Sequence, residues 1–387
     1  MAKRKRRKVK KIKWSKPLAV FVAILLIAAI VFGYFLWKKG YLDAYLDGHD
    51  HNENGNMEDI VTADLSIHFP MLGNKYSGDC TLIKVGDTEV LIDAGSRKSS
   101  AETIKEYVDQ YCTDGVLEYV IATHADQDHI AGFVGSKSGS TRNGIFYQYE
   151  IETLIQFART EKESALYGEY LESVEYLETN GTTVYTALEC WKEENGAKKS
   201  YFLDSESKIS MNILYNYFYE NKSFGGGGEN EYSVCMLLSQ GNNHYLFTGD
   251  LEAKGEEFLV QYNNLPKCKF FKAGHHGSPT SSGENLLSVI QPEIVCVCCC
   301  CGTTEYTENM DNVFPSQEFT DRVSKYTDKV YVTTLYSDTA EKNFVPMNGN
   351  IVLSSSGGEI NVTCSNNNTV FKDTEWFKEY RTWTGGN

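Results

Sequence analysis

No aspartate or glutamate precedes Asp43 in this chain of 387 residues, although 52 acids follow from there on. The first sixteen residues, MAKRKRRKVKKIKWSK, hold ten Lys or Arg instead. Taking those ten from the total of 37 bases leaves 27 bases against 52 acids, so the chain after residue 16 carries a formal charge of −25, which the whole-chain −15 conceals. From Pro17 to Trp37 there is no charge of either sign (PLAVFVAILLIAAIVFGYFLW), which excludes a solvated segment. At about 1.5 Å per residue such a run spans roughly 30 Å, and it predicts one transmembrane helix. Tyr34 and Trp37 suit the interface at its far end, where Lys38 and Lys39 close it. Ten bases before the helix against two after it place the N-terminus in the cytoplasm and export the rest. Small residues of the A-x-A type are missing behind the apolar run, where GYFLWKKG stands, and this argues against a cleaved signal peptide.

The eleven cysteines lack any regular zinc-ligand spacing, and Cys298, Cys299, Cys300 and Cys301 are consecutive, with Cys296 just before them. Alternate residues of a strand face opposite ways, so the run cannot converge on one ion without irregular backbone. IVCVCCCC reads as a buried strand that uses Cys as a small apolar residue. Mutual disulfides or a thiol-metal site are the alternatives, and an odd total leaves at least one thiol unpaired. No internal repeat is evident.

What is present has clear organisation. Residues 1–16 form a basic cytoplasmic terminus, 17–37 the membrane helix and 38–60 a polar, acidic stalk in which His49 and His51 are solvated. A folded domain follows over 61–365, then an aromatic and polar surface tail over 366–387. The runs LSIHF, CTLIKV, TEVLIDAG and LEYVIATH read as strands, with a helix in AETIKEYVDQY. Between Gly135 and Asn230 the pattern weakens to one helix in EKESALYGEYLESVEYLE and a flexible SFGGGGEN. Beyond it, SVCMLLSQGNNHYLFTGD predicts a hairpin turning at Gly241, Asn242 and Asn243, and KCKFFKAGHHGS another strand. A helix in PSQEFTDRVSKY and strands in KVYVTT, GNIVLSSS and GEINVTC complete the domain. Apolar runs ending in Gly, Asp or His expose polar groups at the strand ends of a layered α/β sheet.

The chemistry gathers at such ends. Thr123-His124-Ala125-Asp126-Gln127-Asp128-His129 offers four ligands within six residues, directly after the strand YVIA. Imidazole and carboxylate together suit Zn, Mn or Fe. On a strand-to-helix turn they can share one cleft and divide between two ions. The bland alternative is a solvated acidic loop with a helix N-cap at Asp126 or Asp128. Two further strand ends favour the metal: TGD, which closes on Asp250, and GHHGS, which carries His275 and His276. His68 and His244, within strand-like runs, read as structural.

HxDxDH, LIDAG, TGD and HHGS, in this order, resemble the metallo-β-lactamase superfamily. Asp126 in place of the usual second His, with GDCTLIKVGDTEVLIDAG, NEYSVCMLL, LFTGDLE and FKAGHHGSPTSS, is similar to the hydrolase domain of ComEC-type competence proteins over about residues 63–363. The resemblance does not extend to the many-helix membrane channel of those proteins. It implies an α/β fold, the αββα sandwich of the superfamily, here preceded by a single transmembrane helix. It also implies two divalent ions, Zn first and Mn second, with His124 and Asp126 on one, Asp128, His129 and His275 on the other, and Asp250 bridging. Asp93 would support the ligand loop by hydrogen bonds. A hydroxide between the ions, oriented by Asp128, would attack a phosphoryl or acyl centre, with His276, Ser278 and Lys272 contacting an anionic substrate.

The chain departs from that pattern twice. No His occurs from residue 130 to 243, which leaves one site short of a ligand, and Asn230 and Ser233 match an NxxS-type motif that could supply a weak one or hold a water. Phe314 stands before Pro315, where ComEC-like chains often have His. The function expected is a membrane-anchored, extracytoplasmic phosphodiesterase or nuclease acting on DNA or a teichoic-acid-like polymer. A charge of −25 makes a poor polyanion binder, because nucleic-acid affinity is largely phosphate neutralisation. The alternatives are a lactone or β-lactam hydrolase, or a non-catalytic surface-binding protein on the same fold.

Overall fold

Strands β1 (Leu65–Phe69), β2 (Thr81–Val85), β3 (Thr88–Ile92) and β4 (Val116–Ala122) form where the alternating apolar runs predict them. These belong to a computed structural model that describes residues 63–385 apart from 207 and 225. The expected membrane helix over 17–37 and the stalk over 38–60 lie outside the described residues. Among those described, no helix is long and apolar enough to cross a membrane.

The stretch after Gly135 is richer than its pattern suggests. It holds β5 (Glu150–Gln156), β6 (Thr183–Thr186), β7 (Ser200–Phe202) and β8 (Ile209–Ile213). β6 and β7 are only four and three residues long, too short for a period-2 apolar signal to show, whereas β8, ISMNI, carries that alternation along its whole length. The predicted hairpin is β9 (Met236–Gln240) and β10 (Asn243–Phe247). Its register pairs Gln240 with Asn243, so Asn243 is a strand residue and the turn is Gly241-Asn242 alone, with Gly241 in the left-handed region. Next come β11 (Phe270–Lys272), β12 (Ile294–Cys301), β13 (Val330–Tyr336), a short β14 (Phe344–Pro346), β15 (Ile351–Ser356) and β16 (Glu359–Cys364).

Two eight-stranded sheets result, in the orders β16-β15-β1-β2-β3-β4-β5-β6 and β14-β13-β12-β11-β10-β9-β8-β7. Within each lies a block of parallel pairs, β3 to β6 and β10 to β13, joined by antiparallel strands on one side in the first sheet and on both sides in the second. The sheets face one another across a shared apolar core in which Phe69 stacks on Phe270 at 5.2 Å between ring centroids. Phe271, the next residue, belongs instead to the core between the second sheet and its helices. Helices α1 (Ser100–Val108), α2 (Gln127–Val134), α3 (Ala165–Thr179) and α4 (Ala187–Lys192) follow strands of the first sheet. Helices α5 (Ala253–Tyr262), α6 (Glu284–Ile290), α7 (Gln317–Val323) and α8 (Glu375–Tyr380) accompany the second. This is the expected sandwich of two sheets between helical layers.

The cysteine run is β12, buried along its whole length. Cys296 and Cys298 point into the inter-sheet core, Cys299 and Cys301 into the core under the helices, as strand alternation requires. All eleven cysteines are free and buried. The tail differs from a surface segment: Phe371 and Phe377 are buried in the second core, and the Arg381 guanidinium donates to the carbonyls of Val313 and Pro315. Its aromatics read as surface decoration because they follow no long period.

Candidate metal centre

The parallel blocks of both sheets end at one edge, and the polar residues that close β3, β4, β10 and β11 meet there. Asp93 follows β3 in the left-handed region, at φ 58°, a conformation Asp tolerates better than most residues. Its carboxylate accepts hydrogen bonds from the Thr123 amide at 2.8 Å and the Thr123 hydroxyl at 2.7 Å. The same group lies 2.7 Å from His129 Nδ1. Asp93 thereby ties the start of the ligand loop to its last imidazole and leaves His129 Nε2 free to bind.

Asp126 takes the N-cap position of α2, but its side chain makes no capping bond. It pairs with Lys162 and lies 3.7 Å from His124 Nε2. Gly249 turns β10 into Asp250 at φ 54°, where a Cβ would come within 2.9 Å of Ser233 Oγ. That hydroxyl accepts from the Asp250 amide at 3.1 Å. Ser233 therefore acts by fixing the backbone of Asp250. Asn230 donates to Glu252 at 3.0 Å and lies 3.5 Å from His275 Nδ1, at the rim of the site.

Four groups converge. Asp128, His129, Asp250 and His276 each present an atom such that all lie within 4.8 Å of one another. Asp250 Oδ2 is 3.2 Å from His129 Nε2 and 3.3 Å from His276 Nε2, and Asp128 Oδ2 is 3.2 Å from His276 Nε2. His275, expected in this set, is not in it: its Nε2 is 4.0 Å from Asp250, and its Nδ1 faces Glu252 at 3.3 Å. The two histidines exchange places because both adopt left-handed backbone, φ 45° and 54°, so the turn directs His276 inward and His275 to the rim. His276 is fully buried and cannot be a surface contact for substrate.

Lys272 and Ser278 are likewise not exposed to a ligand. Lys272 is 4 % exposed and pairs with Asp79, while the Ser278 hydroxyl, 3 % exposed, serves its own turn by accepting from the Thr280 amide at 3.1 Å. Three residues escaped the sequence reading. Asp79 lies in GDC just before β2, Glu252 follows TGDL, and Tyr306 donates to Asp128 Oδ2 at 2.8 Å. GDC and LFTGDLE stood out as family-like strings, yet nothing local marks Asp79 or Glu252 as functional, and Tyr306 lies in a loop without pattern.

The electrostatics call for a cation. Asp128 and Asp250 lie in one cluster with His129 and His276, Asp79 and Asp93 in an adjoining one with His129, and the lysine paired into them is Lys272, through Asp79. Burial opposes a charge on His129 and on His276, but Asp250 with Asp93, and Asp250 with Asp79, outweigh it and hold both imidazoles well above their usual pKa. Burial likewise opposes ionisation of Asp250, and His129 and His276 reverse it, so that its carboxyl falls well below the usual range. His124 goes the other way: burial and then the charge on His129 lower it. His124 Nε2, His129 Nε2 and Asp250 Oδ1 are buried without a hydrogen-bond partner. Native interiors seldom leave such atoms unpaired. A divalent ion bound by the imidazole nitrogens and carboxylates would satisfy them and replace the protons, so the residues present fit a metal.

Residues 73–138 match the model of the Metallo-beta-lactamase superfamily. The chain is 39 % identical over 69 residues to Recombination protein 2 of Haemophilus influenzae, which is 18 % of this chain and 8 % of that protein. It is 34 % identical over 65 residues to ComE operon protein 3 of Bacillus subtilis, 17 % of this chain and 8 % of that protein. The matches thus span less than a tenth of either relative. Among solved structures, the metallo-beta-lactamase fold protein YhfI from Bacillus subtilis aligns over 70 % of this chain and 97 % of its own, at 10 % identity and TM-score 0.39.

Proposed function

We propose that this chain, which carries a metallo-β-lactamase superfamily segment at residues 73–138, is a metal-dependent phosphodiesterase anchored to a membrane through residues 17–37. The observation that carries the chemistry is the buried convergence of Asp128, His129, Asp250 and His276, with binding atoms left unpaired. These residues would hold a divalent ion, Zn or Mn, which when bound would supply Lewis acidity and lower the pKa of a bound water toward neutrality. His124 and Asp126 stand beside this cluster as donors for a second ion. Asp250, within 4.0 Å of three histidine nitrogen atoms, would be the residue able to donate to both. Asp93 orients His129, and Ser233 fixes the Asp250 backbone. Tyr306, about half exposed, donates to Asp128 from the solvent side.

The name Recombination protein 2 supports a nucleic-acid phosphodiester, whereas the charge of −25 after residue 16 supports a shorter or less charged one, such as a unit of a teichoic-acid-like polymer. The run from Pro17 to Trp37 and the ten bases before it support an extracytoplasmic domain. The test is full-length protein in detergent, assayed with Zn²⁺ or Mn²⁺ against bis-p-nitrophenyl phosphate, single-stranded DNA, choline-phosphate esters and nitrocefin. Turnover of a phosphodiester that stops with chelator and returns with metal is expected. Turnover of nitrocefin alone, or no bound metal after reconstitution, overturns the proposal.

A further inference from the structure

We propose that Asp79 and Lys272 form a buried positioning pair that fixes His276 with Nε2 turned to the metal cluster, an inference that rests on the metal-dependent reading above. His129 supplies the pattern. Its Nδ1 faces a buried carboxylate, Asp93, and its Nε2 faces Asp250. His276 resembles it from the opposite sheet, with a backbone carbonyl taking the hydrogen bond and the Asp79 carboxylate lying beside it as an ion-pair contact. Its Nδ1 lies 2.8 Å from the Cys298 carbonyl, the proton acceptor, and 3.2 Å from Asp79 Oδ1, while its Nε2 faces Asp250 and Asp128. Protonation at Nδ1 leaves Nε2 as the only ring atom able to bind a metal.

Asp79 is itself held from three sides. Its amide donates to the Asp128 carbonyl at 3.1 Å, its carbonyl accepts from the Gly95 amide at 2.8 Å, and its carboxylate pairs with Lys272. Gly78, just before it, has no room for a side chain, because a Cβ would sit 2.8 Å from the Ser96 amide nitrogen. One residue thus links the ligand loop of the first sheet to the histidine turn of the second. Lys272 also donates to the Ala273 carbonyl at 3.1 Å, next to that turn.

The pair has a second consequence. Asp79, Asp93 and His129 Nδ1 lie within 4.8 Å of one another and would make a competing ion site behind the cluster. The ammonium of Lys272 occupies that side with a permanent positive charge. The void there, lined in part by Asp79, Asp93, Thr123 and Lys272, is about 10 Å³, room for no more than a water. Metal is therefore directed to the Nε2 side of both imidazoles.

The test compares full-length wild type, Asp79→Asn, Lys272→Met and the double variant, each loaded with Co²⁺ and titrated with a competing chelator. Thermal unfolding is followed in parallel. Each single substitution should weaken metal binding roughly ten- to a hundredfold and alter the Co²⁺ absorption bands. The double variant leaves no unpaired buried charge, so it should unfold later than Lys272→Met while its metal affinity stays low. It keeps the test open should a single variant fail to fold. In wild type, ¹⁵N spectra should show His276 protonated at Nδ1 and metallated at Nε2, a reading independent of every variant. Folded variants that bind Co²⁺ within about threefold of wild type with unchanged bands, or metal on Nδ1 of His276, overturn this proposal and leave the hydrolase reading standing. A wild type that binds no metal removes both.

Discussion

Asp250 is the residue on which the proposed centre turns, since His129 and His276 both direct Nε2 at one of its oxygens, at 3.2 and 3.3 Å. Asp250→Asn keeps the shape and removes the charge. The expected result is a fall in phosphodiester turnover of about a hundredfold or more, equivalent to ~3 kcal/mol of lost transition-state stabilisation, with the far-UV circular dichroism retained. A folded variant within a few-fold of wild type would show that Asp250 does not serve the reaction. The ligand types could be read from HxDxDH and TGD because the end of a buried strand delivers its next residues to a cleft. The choice between His275 and His276 could not, because it depends on two consecutive left-handed residues, a conformation no pattern of neighbouring residue types announces.

Single elements carry their own tests. In β1, His68 is fully buried between the Ser66 hydroxyl at 2.8 Å and the Tyr107 hydroxyl at 2.9 Å. Burial, helped by Lys84, lowers its pKa from 6.5 to about 3. The unfolded chain therefore binds the proton first, and this residue's contribution is complete above pH 6.5 and lost as pH falls toward 3. Between pH 7.5 and pH 5 it should remove roughly 2 kcal/mol of unfolding free energy, measured by urea denaturation, and His68→Gln should flatten that slope. An unchanged slope in the variant would assign the pH response elsewhere. The five buried cysteines of β12 and the six elsewhere should stay silent to a thiol reagent in the native protein and titrate as eleven thiols in guanidinium. Fewer than eleven under non-reducing denaturation would reveal disulfides. The run was legible as a buried strand because strand parity forbids convergence on one ion, and its two faces duly serve two different cores.

At the scale of the molecule, the domain does not stop at residue 365. Phe371 and Phe377 complete the core beneath the second sheet, and Arg381 ties the tail to the Val313–Pro315 segment through two carbonyls. Phe377→Ala should cost about 3–5 kcal/mol, and deletion of residues 366–387 should cost more, both seen as a lower unfolding midpoint. A truncated chain as stable as the full one would restore the tail to the surface. By itself the sequence determined most strands of a layered α/β domain, the strand ends that carry the chemistry and the kinds of ligand present, because apolar periodicity and residue type act locally; the sandwich of two sheets was implied only by the resemblance to the metallo-β-lactamase superfamily. Only the tertiary structure decided which histidine enters the cluster, that Lys272 is buried against Asp79 instead of facing substrate, and that the tail is core. Each of these depends on groups far apart in the chain, such as Asp79 with Lys272, meeting across two sheets that local pattern cannot register against one another.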